Sequence, residues 1–206
     1  MTIEAVIFDI GNVLIKWQPE SYYDRVIGPE RRKAFFADVP LHEEHQKVDE
    51  GASLRDVFYN LADQTPEWAD ELRMWHDNWN DLAAPEIPHS VRLLNALKLR
   101  GVPVFTLTNF GHDNFPISQE KFGFLKCFDR EYVSGRLNLI KPDPAIYAHV
   151  EQDCGITPEA LLFTDDREDN IATASARGWQ THHFTGPMGW ADRLVAEGLL
   201  SAKDAE

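Results

Sequence analysis

The stretch Ile3-Glu4-Ala5-Val6-Ile7-Phe8-Asp9-Ile10-Gly11-Asn12-Val13-Leu14 decides the fold. Ile3 to Phe8 is a nearly continuous apolar run, the pattern of a strand buried on both faces, and it stops at a polar glycine turn, Asp9-Ile10-Gly11-Asn12. The pattern returns at Val102-Pro103-Val104-Phe105-Thr106-Leu107, closed by Thr108-Asn109, and at Ala160-Leu161-Leu162-Phe163, closed by Thr164-Asp165-Asp166. Helices are predicted between these runs. Val91, Leu94, Leu97 and Lys98 recur at helical spacing over Ser90 to Arg100, before a C-cap at Gly101, and Asp143–Gln152 and Asp169–Ala176 read similarly. Strand and helix in alternation predict a doubly wound α/β parallel sheet, a Rossmann-like core whose ligands bind beyond the carboxyl ends of the strands.

From about Trp17 to Pro88 that rhythm breaks. The segment is helix-forming, charged and aromatic, with no convincing strand, and reads as an inserted α-helical subdomain. The expected organisation is a discontinuous core of residues 1–16 and 88–206 carrying a helical insertion of residues 17–87. The tail Ser201 to Glu206 is expected to fray.

Composition narrows the partners. Lys and Arg number 20 against 34 Asp and Glu, a net charge of −14 that repels nucleic acid and anionic lipid. Two cysteines, Cys127 and Cys154, are too few for a disulfide framework, and a reducing cytoplasm is the expected setting. The amino end carries an acid where a signal peptide has bases, and no apolar run approaches the ~20 residues of a membrane span.

If the strand ends converge, Asp9, Thr108, Asn109, Asp165 and Asp166 meet at one sheet edge with Lys141 from Ile140-Lys141-Pro142-Asp143-Pro144. Carboxylates within ~4 Å of one another repel by a few kcal/mol per pair at an effective dielectric of ~20, so the cluster calls for positive charge. Lys141 offers one charge. An oxygen-rich, thiol-free donor set suits Mg²⁺, which also takes substrate phosphate oxygens.

At these residues the chain resembles the haloacid dehalogenase-like hydrolase superfamily. Phe8-Asp9-Ile10-Gly11-Asn12-Val13-Leu14, Leu107-Thr108-Asn109, Lys141-Pro142-Asp143-Pro144 and Phe163-Thr164-Asp165-Asp166 through Asn170 are similar to its four motifs, in order, and the insertion occupies the place of its small helical cap. The resemblance implies a Mg²⁺-dependent phosphatase. Asp9 would attack phosphorus to form an aspartyl-phosphate, Thr108 and Asn109 would donate to the phosphoryl oxygens, and Lys141 would neutralise charge around the nucleophile. Asp9, the Gly11 carbonyl and Asp166 would hold the metal, with Asp165 and Asn170 in support and Asp165 paired to Lys141. A small phosphorylated metabolite is the implied partner, whether the protein is a monomer or a homodimer.

One departure matters. Family phosphatases carry a second aspartate two residues after the nucleophile as general acid and base, and this chain has Gly11 there. That help is worth roughly 10²–10⁴-fold. A good leaving group would make up for its loss, and the Asp-Ile-Gly-Asn-Val pattern resembles a subgroup of sugar-phosphate phosphatases similar to those acting on glucose 1-phosphate. A cap residue, His42, Glu43, Glu44 or His45, could instead supply the proton. Two other readings stand beside this one: a metal-free 2-haloacid dehalogenase, disfavoured by Asp165-Asp166 though matched by Tyr147, and a slow or inactive phosphometabolite-binding protein. Trp68, Trp75 and Trp79 are expected to pack the insertion rather than stack substrate, Trp17 lies near the cleft or a hinge, and Phe110 and Asn12 are placed to shape the pocket. His182 and His183 are expected at the end of a late strand.

Overall fold

In the computed structural model, which describes residues 2–206, the buried run becomes β1 (Ala5–Phe8) at the centre of the sheet. The chain continues through β2 (Ile15–Trp17), α1 (Pro19–Ile27), α2 (Pro29–Asp38), α3 (Leu41–Asp49), α4 (Leu54–Gln64), α5 (Ala69–Asp77), α6 (Trp79–Leu82) and β3 (Ala83–Glu86). It then runs α7 (Pro88–Leu99), β4 (Val104–Thr108), α8 (Asn114–Lys121), β5 (Arg130–Val133), α9 (Ser134–Leu137), α10 (Pro144–Cys154), β6 (Leu161–Asp165), α11 (Glu168–Ala176), β7 (Gln180–His183) and α12 (Pro187–Ala196). The five-stranded sheet has the order β5-β4-β1-β6-β7, and every neighbouring pair is parallel.

Strand pleating divides the core. Ala5 and Ile7 pack on one face with Phe105, Leu107, Phe163, Tyr147 and Trp179, beneath α10 and α11. Val6 and Phe8 face the other way, against Leu94 of α7 and Trp190 of α12. That second cluster runs on without a break into Phe35, Phe58 and Trp75 of the helical insertion. The chain leaves β1 toward β4 and β5, then crosses back to β6 on the other side, so strand order reverses at β1. In open α/β sheets that reversal opens a crevice at the carboxyl ends. Phe8 pairs with both Thr106 and Thr164, which brings the ends of β1, β4 and β6 side by side.

Three features differ from the sequence expectation. β3 lies in the segment read as strand-free, pairing antiparallel with β2 through Ile15 to Glu86 and Trp17 to Ala83. A four-residue Ala-Ala-Pro-Glu run has no alternation to reveal it, and its pairing is set by a tertiary neighbour. β5 and β7 are edge strands; β7, Gln-Thr-His-His, is polar and half-exposed and carries no apolar run, although its end at His182 and His183 falls where the sequence places a strand end.

The tail is docked, not frayed. The Ala205 carbonyl lies 2.7 Å from His89 Nε2, the Glu206 carbonyl accepts from Arg92 at 3.0 Å, and Asp204 pairs with Arg100. Removing Ser201–Glu206 is therefore expected to lower stability by about 1–3 kcal/mol, roughly 2–10 °C in unfolding midpoint for a chain of this size. Thermal denaturation checks it, and an unchanged midpoint would contradict the docking.

Candidate active site

Each strand delivers a side chain where its apolar run stops. Asp9 follows β1 directly, and its backbone N–H still donates across the sheet to the Thr164 carbonyl at 3.0 Å. Thr108 is the last residue of β4, and Asp165 the last of β6, with Asp166 next. Lys141 enters from the loop between α9 and α10. Its ammonium sits 2.9 Å from Asp9 Oδ1 and 2.6 Å from Asp165 Oδ2, and all three side chains are buried.

Asp165 is fully engaged. Both its oxygens accept from Asn170 Nδ2 at 3.0 Å, and Oδ1 also accepts the Arg167 backbone N–H at 2.8 Å. It therefore anchors Lys141, and Asn170 anchors it. Tyr147 is buried on α10 and its hydroxyl donates to the Asn170 carbonyl at 3.1 Å, a packing and tethering position away from the cavity. The Asn109 amide is used in both directions, Nδ2 donating to the Lys141 carbonyl at 2.9 Å and Oδ1 accepting the Lys141 N–H at 2.8 Å. This departs from the sequence expectation: the side chain fixes the lysine loop and is not a free donor for phosphoryl oxygens.

Asn12, which the sequence places only near the pocket, has a definite task. It adopts the left-handed backbone that asparagine tolerates, φ 53°, and donates from Nδ2 to Asp166 Oδ2 at 2.9 Å. Its Oδ1 accepts the Trp17 N–H at 3.0 Å, so one side chain links Asp166 to the entrance of the helical insertion. The carboxylates of Asp9, Asp165 and Asp166 offer oxygens all within 4.8 Å of one another, the one such metal-sized group among the described residues.

The electrostatics follow from burial. Desolvation pushes the Asp9 carboxyl up to about 7; Lys141 opposes this, and Asp165 and Asp166 add to it. Partial burial also raises Asp166 against the hydrogen bond from Asn12. Burial works against the charge on Lys141 too, yet the flanking Asp165 and Asp9 outweigh it and hold the ammonium above its ordinary range. One ammonium among three carboxylates leaves room for more positive charge, and the all-oxygen donor set is of the kind Mg²⁺ prefers.

A cavity of about 450 Å³ opens over these groups. Asp9, Gly11, Thr108, Lys141 and Asp166 line its floor, while Trp17, His45, Asp49 and Trp79 from the insertion face it from above, with Phe110 alongside. The tryptophans pack as the periodicity predicts. Trp68 and Trp75 are buried, Trp75 lying against Phe58 at 5.2 Å, and Trp79 is buried as well with Nε1 donating to Ser118 Oγ of α8 at 2.9 Å. Trp79 does both jobs, since its ring also stacks on His45 at 5.5 Å above the cavity. His45 is no metal ligand. Its ring is held between Trp17 and Trp79, Nδ1 accepts from Trp75 Nε1 at 3.3 Å, and burial drives its pKa down to about 4, keeping it neutral.

The fold and this edge define a class: residues 3–178 match the haloacid dehalogenase-like hydrolase family, and the chain belongs to it and is a hydrolase. Among curated proteins it is similar to a sesquiterpene phosphatase of Aspergillus oryzae, 25% identical over 188 residues, 91% of this chain and 92% of that one. Among solved structures it is similar to a haloacid dehalogenase family enzyme from Bacteroides thetaiotaomicron, with TM-score 0.71 and 22% identity over 88% of this chain and 93% of that one. A further structure of that enzyme is a complex with magnesium and inorganic phosphate, with TM-score 0.67 and 22% identity over 87% and 93%. The L-2-haloacid dehalogenase of Xanthobacter autotrophicus shares the fold at TM-score 0.63 and 18% identity, over 99% and 87%. No helix among the described residues is long and apolar enough to cross a membrane.

Proposed function

We propose that this chain is a Mg²⁺-dependent phosphatase that hydrolyses a small phosphorylated metabolite through an aspartyl-phosphate at Asp9. The observation that carries the reading is a single buried carboxylate, Asp9, set between the Lys141 ammonium and the Asp166 carboxylate on the floor of an organic-sized cavity. One Asp9 oxygen is oriented by Lys141 at 2.9 Å, leaving the other to attack phosphorus. Thr108 at the cavity floor is placed to donate to the transferring group, and Lys141 offsets its charge. Asp9, the Gly11 carbonyl and Asp166 would hold Mg²⁺, which when bound supplies charge stabilisation to the phosphoryl oxygens. Asn12 keeps Asp166 aimed, and Asp165 with Asn170 keeps Lys141 in place.

In this reading residues 17–87 form the cap and residues 1–16 with 88–206 the catalytic core, and closure of the cap excludes water. The aromatic roof of Trp17, His45 and Trp79 favours a flat or apolar organic group on the phosphate, in keeping with the sesquiterpene phosphatase relative, while the resemblance to sugar-phosphate phosphatases keeps those esters in the set to be tried. The two free cysteines suit a reducing, cytoplasmic setting.

Phosphate release across sugar phosphates, isoprenyl phosphates, nucleotides and 2-haloacids, with Mg²⁺ or with EDTA, tests the reading. Release from at least one phosphate ester is expected only with Mg²⁺, and Asp166→Ala is expected to lower it by at least roughly 10²-fold. Equal rates in EDTA, or halide release from a haloacid in place of phosphate release, would overturn it.

A further inference from the structure

Gly11 leaves the reaction without the proton carrier that its position usually supplies, so the rest of the cavity was searched for a carboxyl or imidazole able to serve. The four insertion residues that the sequence suggests do not fit. Glu44 is paired with Lys47 at 2.7 Å, Glu43 lies outside the cavity, His42 is exposed at its rim, and His45 is stacked and neutral with Nδ1 occupied by Trp75.

Asp49, the last residue of α3, is different. It lines the same cavity as Asp9 and Lys141, its side chain is only 15% exposed, and its Oδ1 is sealed from solvent with no hydrogen-bond partner among the described residues. A buried carboxylate oxygen without a donor is costly when ionised and comfortable when protonated. Three neighbours reinforce this. It sits at the negative end of a helix, next to Glu50, and burial together with Asp9 raises its pKa to about 7 against the pull of Lys141. His45 faces it at 3.9 Å through Nε2, the nitrogen left carrying the ring proton because Nδ1 accepts from Trp75.

Packing holds Asp49 there. Val48, its neighbour on α3, is buried and rests against Gly111, where an added Cβ would lie 2.5 Å from Val48 Cγ1. Just beyond the helix, Gly51 turns at φ +114° against Asn138, where a side chain would collide. The end of α3 therefore seats on two loops of the core, and that seat aims the residue between the two contacts at the reaction site.

We propose that Asp49 is the general acid and base of the hydrolysis, delivered by the insertion in place of the carboxyl absent at Gly11. The proposal rests on the phosphatase reading above. In the first step Asp9 bonds to phosphorus, the bond from phosphorus to the leaving oxygen breaks, and that oxygen takes the proton of the Asp49 carboxyl. In the second, the Asp49 carboxylate takes a proton from water, the water oxygen bonds to phosphorus, and the bond from phosphorus to Asp9 breaks with its electron pair returning to Asp9. Phosphate leaves and Asp49 is protonated again.

Single-turnover cleavage by Asp49→Asn, measured with an alkyl monophosphate and with p-nitrophenyl phosphate in the presence of Mg²⁺, tests the assignment. The alkyl ester, whose leaving group needs a proton, is expected to be cleaved roughly 10²–10⁴-fold more slowly than by the wild type. The aryl ester, whose leaving group does not, should be cleaved at close to the wild-type rate and give a burst of one p-nitrophenol per site before slow turnover. Partial misfolding would lower the amplitude of both reactions, not the ratio of their rate constants. A carboxyl returned from the other side should rescue: an added Cβ at Gly11 meets nothing within 4 Å, so Gly11→Asp in the Asp49→Asn background is expected to restore alkyl cleavage to within about tenfold. Unchanged alkyl cleavage, or an equal fall in both rate constants without rescue, would overturn the role of Asp49 and leave the phosphatase standing. A wild type that releases no phosphate from any ester would overturn both.

Discussion

Asp9→Asn is expected to lower phosphate release by a factor on the order of 10⁴ or more while leaving the unfolding midpoint within a few degrees of the wild type. An amide oxygen is a poor nucleophile, and no other carboxylate at the site is free to take over. Asp165 is committed to Lys141, Asn170 and the Arg167 N–H, and Asp166 is held by Asn12. The stability forecast follows from the same contacts. Asp9 is one of three crowded acids, and its burial already pushes its carboxyl up to about 7, so a neutral amide removes repulsion as well as attraction. Lys141 keeps Asp165 at 2.6 Å and is not orphaned. Activity assays with circular dichroism melting separate the two effects, and a large loss of stability would show that Asp9 is structural.

Lys141→Met is expected to do the reverse and damage both. The stem of methionine fills the same space, but the one ammonium within a buried group of three carboxylates is gone. Removing one partner of a buried ion pair costs about 3–5 kcal/mol, and for a chain of this length that is a fall of roughly 6–20 °C in midpoint. The sign with pH can be stated for Asp9. Its folded-state pKa already lies above the ordinary aspartate value, so its burial destabilises once pH exceeds the unfolded pKa, and loss of Lys141 enlarges that penalty. The deficit of Lys141→Met should therefore shrink toward pH 4 and widen toward pH 8, and Mg²⁺ should recover part of it. A midpoint equal to the wild type at neutral pH would mean that the lysine is not the charge that holds the cluster.

How much of this could be read from the chain depends on how local each signal is. The strands β1, β4 and β6 are legible because a strand covered on both faces must be apolar throughout, so its polar end marks itself; Asp9, Thr108 and Asp165 are found that way. Lys141 needed the resemblance, since a loop lysine before Pro142 has no periodicity to place it. Asn109 was located correctly and its partner was not, because nothing local says that its amide meets the backbone of Lys141, 32 residues on. β3 and the docked tail escaped for the same reason, both depending on surfaces contributed by distant segments. Asp49 is the clearest case. It lies in an acidic helix beside His42, Glu43, Glu44 and Glu50, any of which has the right chemistry, and only the seat of Val48 on Gly111 and the turn at Gly51 single it out. The neighbouring glycine was the one available hint.

The most direct measurement is chemical trapping at residue 9. Enzyme quenched in acid during turnover of a phosphate ester with Mg²⁺, then reduced with borohydride and digested, should yield homoserine in place of Asp9, since borohydride reduces an acyl phosphate and spares a free carboxylate. An intact Asp9 in enzyme that is releasing phosphate at its full rate and has been quenched with substrate in excess, or an alkyl ester on that carboxylate in place of a phosphoryl group, would contradict the account.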